Sequence, residues 1–220
     1  MSDVKPRTRP YKSTKRTAQA AETRDGVLSA AHTLFLKKGW VQTTISEIAS
    51  GAGVSAETVY SNFGSKSALL QELVARTVRG NSPDTPLIDQ EAPRLIAGEN
   101  DQARQVKLFC EDITKVLARV APLMDVVRMA AATDPVIAKL YSEFHRGRRK
   151  NLEWFAGALL RNGPLRDGMD AKAAGLIIWR LASPDLFLLV RRVEGASLRT
   201  YTDWLAACLK LQLLDGRTKR

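Results

Sequence analysis

This 220-residue chain has few of the residues that hold metals or form disulfides. It contains two cysteines and two histidines, and neither His32 nor His145 has the Glu-x-x-His spacing of di-iron helical bundles. The sequence also lacks a nucleophile elbow, a phosphate-binding loop and a zinc-ligand spacing. It therefore predicts no metal, no cofactor and no enzymatic activity, and a helical enzyme is the least favoured alternative.

The two cysteines, Cys110 and Cys208, each lie within an amphipathic helical pattern. This placement is typical of free, buried thiols in a reducing cytosol, and a redox-sensing pair is the alternative. The basic N-terminus is not followed by the apolar segment of a secretory signal. No uncharged apolar run approaches the roughly 20 residues that cross a membrane. We therefore expect a soluble, cytoplasmic protein.

Acidic residues are outnumbered, since 23 Asp and Glu face 34 Lys and Arg, giving a formal net charge of +11. Such an excess favours a polyanionic partner. The N-terminal segment is strongly basic, whereas residues 81–101 are mainly acidic and contain Pro83, Pro86 and Pro93. Because proline interrupts long helices, we expect a domain boundary in this acidic segment.

A helix-turn-helix pattern occupies residues 43–63. Thr44 and Glu47 have the spacing of a capping box, which predicts the start of a short helix. Gly53 suits the sharp turn that follows, and Ser55 is a preferred N-cap for the next helix. The outward face of this second helix is short and mostly polar: Ala56, Glu57, Thr58, Tyr60, Ser61 and Asn62.

Such side chains can bond to phosphates or base edges, so the pattern favours sequence-specific DNA binding. Two alternatives stay open from the residues alone. One is an ordinary helical hairpin inside a larger bundle. The other is a non-specific, charge-driven nucleic-acid binder.

The segment AAHTLFLKKGWVQTTISEIASGAGVSAETVYSNFGSKSALLQEL gives the pattern a wider context. Within residues 22–78 it resembles the DNA-binding domain of the TetR family of bacterial transcriptional repressors. The residues that carry the resemblance are Ala31, Phe35, Gly39, Thr43, Thr44, Ile48, Ala49, Gly53, Val54, Tyr60, Phe63, Lys66, Leu69 and Leu70. A weaker resemblance covers WRLASPDLFLLVRRVEGASLRTYTDWLAACLKLQLL, near the C-terminus.

The resemblance implies a DNA interface centred on the second helix. Its predicted residues are Thr43, Thr44, Ser55, Ala56, Glu57, Thr58, Tyr60, Ser61, Asn62 and Lys66, with Arg7 and Arg9 of the basic arm. Thr58 and Asn62 are assigned to bases, whereas Thr43, Thr44, Tyr60 and Lys66 are assigned to phosphates. Glu57 either accepts from a cytosine amino group or stabilises the positive end of its helix, and we favour the helix role. For the arm, a solvated tail is an equal alternative.

Every strong periodic pattern in the chain is helical, which predicts an all-α fold. We expect helices at about 20–38, 102–120 and 135–162, with Pro122 and Pro184 beginning further helices. The predicted organisation is a basic, unstructured arm (1–19), a helix-turn-helix DNA-binding domain (20–80), an acidic linker (81–101), a helical ligand-binding and dimerisation domain (102–215) and a tail (216–220).

The resemblance also implies a homodimer through the C-terminal helices and a small-molecule effector inside the helical bundle. The predicted pocket residues are Phe109, Met124, Arg128, Phe144, His145, Arg148, Trp154 and Trp179. Core packing is the alternative role for each of the aromatic residues. If Arg128 or Arg148 points inward, an acidic ligand follows, because a buried guanidinium needs a partner.

Overall fold

The computed structural model describes residues 11–215, with side chains described from residue 16 onward. Throughout this range the secondary structure is helical and contains no strand, which confirms the predicted all-α fold. The chain divides into two compact units, Met1–Leu73 and Val74–Arg220. The division lies before the acidic segment in which we expected the boundary. Arg7, Arg9 and the tail 216–220 lie outside the described residues.

The first unit is built from three helices and the start of a fourth. They are α1 (Tyr11–Gln42), α2 (Ile45–Gly51), α3 (Ala56–Phe63) and α4 (Lys66–Arg79), which continues into the second unit. α1 leaves the helical conformation at Gly39, where φ is +72°, as the predicted helix end there requires. Residues 11–19, predicted to be unstructured, are helical, because no proline or glycine interrupts residues 11–25.

Large apolar side chains from all four helices form the core of the first unit. Phe35, Ile48, Leu69 and Leu70 are each fully buried. Burying side chains of this size contributes roughly 1.5–3 kcal/mol each, before the cost of ordering the chain. This core holds α2 and α3 in a fixed relation to α1.

The second unit contains the remaining helices. They are α5 (Glu91–Gly98), α6 (Gln102–Ala131), α7 (Pro135–Leu160), α8 (Ala171–Leu181), α9 (Pro184–Leu188) and α10 (Leu198–Leu213), with a π-helical turn at Leu189–Val193. Asp134 is the N-cap of α7 and Ser197 is the N-cap of α10, and their side chains accept from the backbone N–H groups of Ile137 and Thr200 at 3.2 and 3.0 Å.

Two proline predictions need correction. Pro93 lies in the first turn of α5, where a missing N–H costs little, so the expected linker contains a helix. Pro122 does not begin a helix, because it lies inside the 30-residue α6. An internal proline costs about 3 kcal/mol. Buried residues on both sides of it, including Leu117 and Val127, offset that cost by keeping one continuous apolar stripe against the core.

Residues 171–193 are long and apolar enough, by length and composition alone, to cross a membrane. In the structure this segment is not one straight helix, because α8 ends at Leu181 and Ser183 caps α9. Ile178 and Phe187 from this segment are buried in the core of the second unit. The segment is therefore a core element of the bundle.

Candidate nucleic-acid interface and internal cavity

The start of α2 is fixed by the predicted capping box. The Thr44 hydroxyl accepts from the Glu47 N–H at 3.2 Å, and the Glu47 carboxylate accepts from the Thr44 N–H at 3.0 Å. Lys38 donates to the same carboxylate at 2.6 Å. The Lys38 ammonium and the Thr44 N–H lower the pKa of Glu47 to about 2. Glu47 is therefore an anion at neutral pH, and it ties α2 to the end of α1.

The turn between α2 and α3 also has the predicted geometry. Gly53 has a φ of +67°, a conformation that glycine adopts without steric cost. The Val54 N–H returns to the Ala49 carbonyl at 3.0 Å, and the Ser55 hydroxyl accepts from the Thr58 N–H at 3.1 Å. Val59 and Phe63 are buried on the inner face of α3. These contacts make a helix-turn-helix in which α3 is the second helix.

The outward face of α3 contains both exposed side chains and side chains that hydrogen-bond near their own position. Glu57 and Tyr60 are exposed, and Tyr60 retains 53% of its accessible surface. Ser61 is also exposed, but its hydroxyl donates to the Thr58 carbonyl at 3.0 Å. The Thr58 hydroxyl lies 2.9 Å from the Ser55 hydroxyl, and the Asn62 amide donates to the Thr58 carbonyl at 2.8 Å. The two residues assigned to bases are therefore hydrogen-bonded within α3, and a base contact requires them to exchange these bonds.

The structure contradicts the predicted role of the Thr43 side chain. Thr43 is fully buried, and its hydroxyl donates to the Gly39 carbonyl at 2.7 Å, with the Leu34 carbonyl at 3.3 Å. α1 leaves the helical conformation at Gly39, and the Thr43 hydroxyl bonds to carbonyls of that terminal region. Thr43 thus stabilises the connection to α2, and its side chain is not available to a phosphate.

Lys66 is likewise engaged within the unit. Its ammonium donates to the carbonyls of Trp40 and Thr43, both at 2.9 Å, and lies 4.0 Å from the centroid of the Trp40 ring. The predicted phosphate contact is replaced by a clamp that joins the first turn of α4 to the end of α1. Trp40 and Lys66 are 26 positions apart, so no local sequence pattern indicates their contact.

Arg24 is a positioning residue that the sequence reasoning missed. Its guanidinium donates to both carboxylate oxygens of Glu72, with Nε at 2.7 Å from Oε1, and to the Asn62 carbonyl at 2.9 Å. It also lies 4.4 Å from the centroid of the Phe63 ring. Arg24 therefore joins α1 to the end of α3 and to α4, which fixes the angle at which α3 is presented.

The second unit encloses a cavity of about 440 Å³. Its walls come from the end of α4, the segment around α5, and the facing sides of α6 and α7. All but two of the predicted pocket residues line it: Phe109, Met124, Phe144, His145, Arg148 and Trp154. The size is typical of small-molecule sites, which run from about 300 to 1,000 Å³.

Arg128 and Trp179 do not line the cavity, which corrects their predicted placement. Arg128 is exposed and forms ion pairs with Asp125 at 2.8 Å and Asp185 at 3.3 Å. Trp179 lies behind the wall, with its ring 5.6 Å from the His145 ring, and its carbonyl accepts from Arg148. Neither residue is part of the cavity lining.

Arg148 supplies a buried positive charge to the wall. Its Nη2 donates to the carbonyls of Trp179 at 2.6 Å and Ala182 at 2.8 Å, at the end of α8. Its Nε and Nη1 are buried and have no hydrogen-bond acceptor among the described residues. Burial lowers the pKa of Arg148 to about 10, so it is charged at neutral pH. Burial and the Arg148 charge lower the pKa of the neighbouring His145, which is therefore neutral.

The cavity wall also includes residues that the sequence analysis did not select. Val74, Ala75 and Val78 of α4 line it, as does Asp112, whose pKa is raised by burial. Arg119 of α6 donates to the Thr77 and Val78 carbonyls at 3.3 and 3.2 Å. The end of α4 is thus both part of the wall and held by α6. No helical periodicity predicts this, because it depends on how distant helices pack.

A family model described as "Bacterial regulatory proteins, tetR family" matches residues 27–73. The transcriptional repressor BepR of Brucella suis is 42% identical over 59 residues, which are 27% of this chain and 28% of that protein. The transcriptional regulator AlkX of Mycobacterium tuberculosis is 41% identical over 59 residues, with the same coverage of each chain. The match spans only about 28% of the length of these curated relatives.

Solved structures extend the likeness to the whole fold. NalD, the secondary repressor of the MexAB-OprM multidrug efflux pump in Pseudomonas aeruginosa, superposes with a TM-score of 0.67 at 20% identity, over 91% of this chain and 100% of that one. A TetR-family regulator from Syntrophomonas wolfei gives a TM-score of 0.69 at 16% identity, over 86% and 94%. At these identities the likeness concerns the fold alone. Residues 27–73 therefore form a DNA-binding domain of the TetR family of bacterial transcriptional regulators, within a chain whose fold resembles that of TetR-family structures.

Proposed function

We propose that this protein is a repressor that binds a two-fold symmetric DNA operator as a homodimer and is released by a small molecule. The observation that carries the proposal is the continuity of α4, a single helix of 14 residues. Its first residue, Lys66, is clamped to the end of α1 in the DNA-binding unit. Its last two turns line the cavity. We place this regulator in the cytoplasm, where its DNA would be.

On DNA, α3 enters the major groove with its outward face toward the bases. The exposed Tyr60 hydroxyl bonds to a phosphate, and Thr44 at the start of α2 contacts the neighbouring backbone. Thr58 and Asn62 reach base edges by giving up their bonds within α3. Thr43, Lys66 and Arg24 act indirectly by holding the motif in shape.

The C-terminal helices provide the surface for a second copy of the chain. On α10, Trp204, Cys208 and Leu211 recur at helical spacing on one side, and Leu211 retains 64% of its accessible surface. Val193 and Leu189, just before α10, are also exposed apolar residues. Covering them with the same surface of a second subunit would bury this apolar area. Two α3 helices would then read half-sites about 34–36 Å apart.

Release by a ligand follows from the position of the end of α4. Because Val74, Ala75 and Val78 line the cavity, a ligand contacts the same helix that begins in the DNA-binding unit. Arg119 holds the last carbonyls of α4 and so resists its displacement. A ligand that prefers a second arrangement of α4 shifts the population away from the DNA-binding form, by its difference in affinity for the two forms.

Glu57→Gln tests the DNA-binding face. An exposed carboxylate near phosphates is repelled by about 1 kcal/mol, so its removal should tighten DNA binding roughly fivefold on every sequence. If Glu57 instead accepts from a cytosine, the variant weakens binding to the operator and relaxes the choice at one base pair. Glu22→Gln, the same charge change on the exposed side of α1, is the control and should have little effect.

Binding is measured by mobility shift against the operator and against random DNA at several salt concentrations. A repressor prefers its operator by at least about a thousandfold. Equal affinity for both DNAs, with the same steep salt dependence, would instead identify a non-specific, charge-driven binder. If Glu57→Gln bound both DNAs as the wild type does, the placement of α3 against DNA would be contradicted.

A further inference from the structure

Four residues carry buried polar atoms that have no hydrogen-bond partner among the described residues: His145, Arg148, Trp179 and Tyr201. His145 and Arg148 line the cavity, whereas Trp179 and Tyr201 do not. His145 packs edge-on against Trp179 at 5.6 Å, and the Arg148 guanidinium lies 5.6 Å from the Trp179 ring centroid.

The unpartnered atoms are mostly hydrogen-bond donors. Arg148 has an N–H on Nε and two on Nη1, none of them accepted, and the Trp179 indole N–H is also unaccepted. A neutral His145 adds a further donor. Leaving a buried donor without an acceptor is unfavourable, and more so when the group is charged. The missing partner is therefore an acceptor that carries negative charge.

No carboxylate of the described chain supplies that charge. Arg148 belongs to no ion pair there, and the nearest influential acid, Asp185, is paired with Arg128 at 3.3 Å. The bonds from Nη2 to the end of α8 explain why the arginine is held in place, but they engage only one of its three nitrogens. A purely structural role thus leaves the buried Nε and Nη1 donors of this lining residue unexplained.

Apart from Arg79, Asp112 and Asn151, most of the remaining lining residues are apolar and suit an apolar body. Phe109 and Phe155 stack at 3.9 Å on one wall, and Phe144, Trp154 and Met124 add further apolar surface. We propose that the effector is an amphipathic organic carboxylate, with its head group on Arg148 and its apolar body among these side chains. That the ligand acts as an effector rests on the proposed function, whereas the binding site itself lies within the second unit.

The first test uses the unmodified protein and compares head groups on one body. Decanoate, 1-decanol and decyltrimethylammonium are titrated by calorimetry, without DNA, below their aggregation concentrations. A second series compares 2-naphthoate with 2-naphthol. A charge-assisted hydrogen bond predicts that each carboxylate binds about tenfold to a hundredfold more tightly than its neutral counterpart, and that the cation binds most weakly. The proposal would be overturned if the carboxylate were not the tightest-binding ligand in both series.

The second test assigns the charge to one residue. Arg148→Gln should bring the affinity for decanoate down to that for decanol, whereas Arg146→Gln, an exposed arginine on the same helix, should leave both unchanged. Arg148→Lys keeps the charge and should retain part of the preference. Circular dichroism melting shows whether each variant folds. If Arg148→Gln does not fold, the comparison of head groups on the wild-type protein tests the preference for a carboxylate. Equal loss of decanoate binding in Arg146→Gln would refute the assignment.

The outcomes separate this inference from the function on which it rests. If the protein recognises an operator but shows no preference for carboxylates, the ligand class is wrong and repression stands. If decanoate binds through Arg148 but does not release DNA at saturating concentration, the site stands and the coupling through α4 is wrong.

Discussion

Gly175→Ala should destabilise the second unit, because α7 and α8 cross with almost no space between their backbones. A Cβ at position 175 would lie 2.9 Å from the Cα and 3.2 Å from the N of Glu153. Ordinary contact begins at 3.4 Å, so one helix must retreat by about half an ångström along its packed face. Overpacking of this kind costs about 1–3 kcal/mol.

The same substitution at Gly147 is the matched control, since a Cβ there meets nothing within 4 Å in the middle of α7. Alanine is preferred over glycine in a helix by about 1 kcal/mol, so Gly147→Ala should be stabilising. Gly175→Ala has the same gain in helix preference but also the cost of overpacking. Its free energy of unfolding should therefore be about 1–3 kcal/mol lower than that of the control variant. Urea unfolding followed by tryptophan fluorescence, at one protein concentration, measures the difference. Equal stabilisation by both alanines would refute the close crossing.

Two further predictions concern ionisable groups. The pKa of Glu47 is about 2 in the folded protein against an ordinary 4.5, so its ion pair and cap stabilise the fold above pH 4.5 and are lost as pH falls toward 2. Glu47→Gln should therefore be less stable than the wild type at pH 7, and the gap in the free energy of unfolding should close between these pH values. A gap that is independent of pH would contradict this reading. Burial raises the pKa of the Cys110 thiol to about 12, so iodoacetamide at pH 8 should modify Cys110 only when the protein unfolds. Modification of Cys110 in the folded protein, detected by mass spectrometry, would show that Cys110 is accessible.

The parts of the fold that depend on neighbouring residues were predictable from the sequence. The capping box of Thr44 and Glu47, the turn at Gly53 and the N-cap Asp134 each involve residues within a few positions of one another. Their hydrogen bonds form whenever the local backbone turns helical, whatever lies further away. The helix-turn-helix therefore emerged from local spacing alone.

Contacts between distant residues were not predictable in the same way. Pro122 is a strong local signal for a helix start, but its helix continues because the stripe on both sides is buried. Lys66 and Thr43 are polar residues that were predicted to contact DNA, and both bond to carbonyls at the end of α1. A sequence pattern shows which groups can hydrogen-bond, and the packing decides which partner they find.

The two candidate arginines of the pocket illustrate the same limit. Arg128 and Arg148 each lie on a long amphipathic helix and are equivalent by composition. Arg148 is buried because the carbonyls at the end of α8 lie within reach of its Nη2, whereas Arg128 meets Asp125 three positions before it. Only the placement of α8 against α7 separates a cavity charge from a surface ion pair.

The central claim, that this chain is a sequence-specific dimeric DNA-binding regulator, is tested most directly by selecting bound DNA from a random pool. A two-fold symmetric dimer should enrich one site made of two inverted half-sites, with centres about one helical turn apart, or roughly 34–36 Å. Enrichment of no common sequence, with retention that depends only on salt concentration, would contradict it.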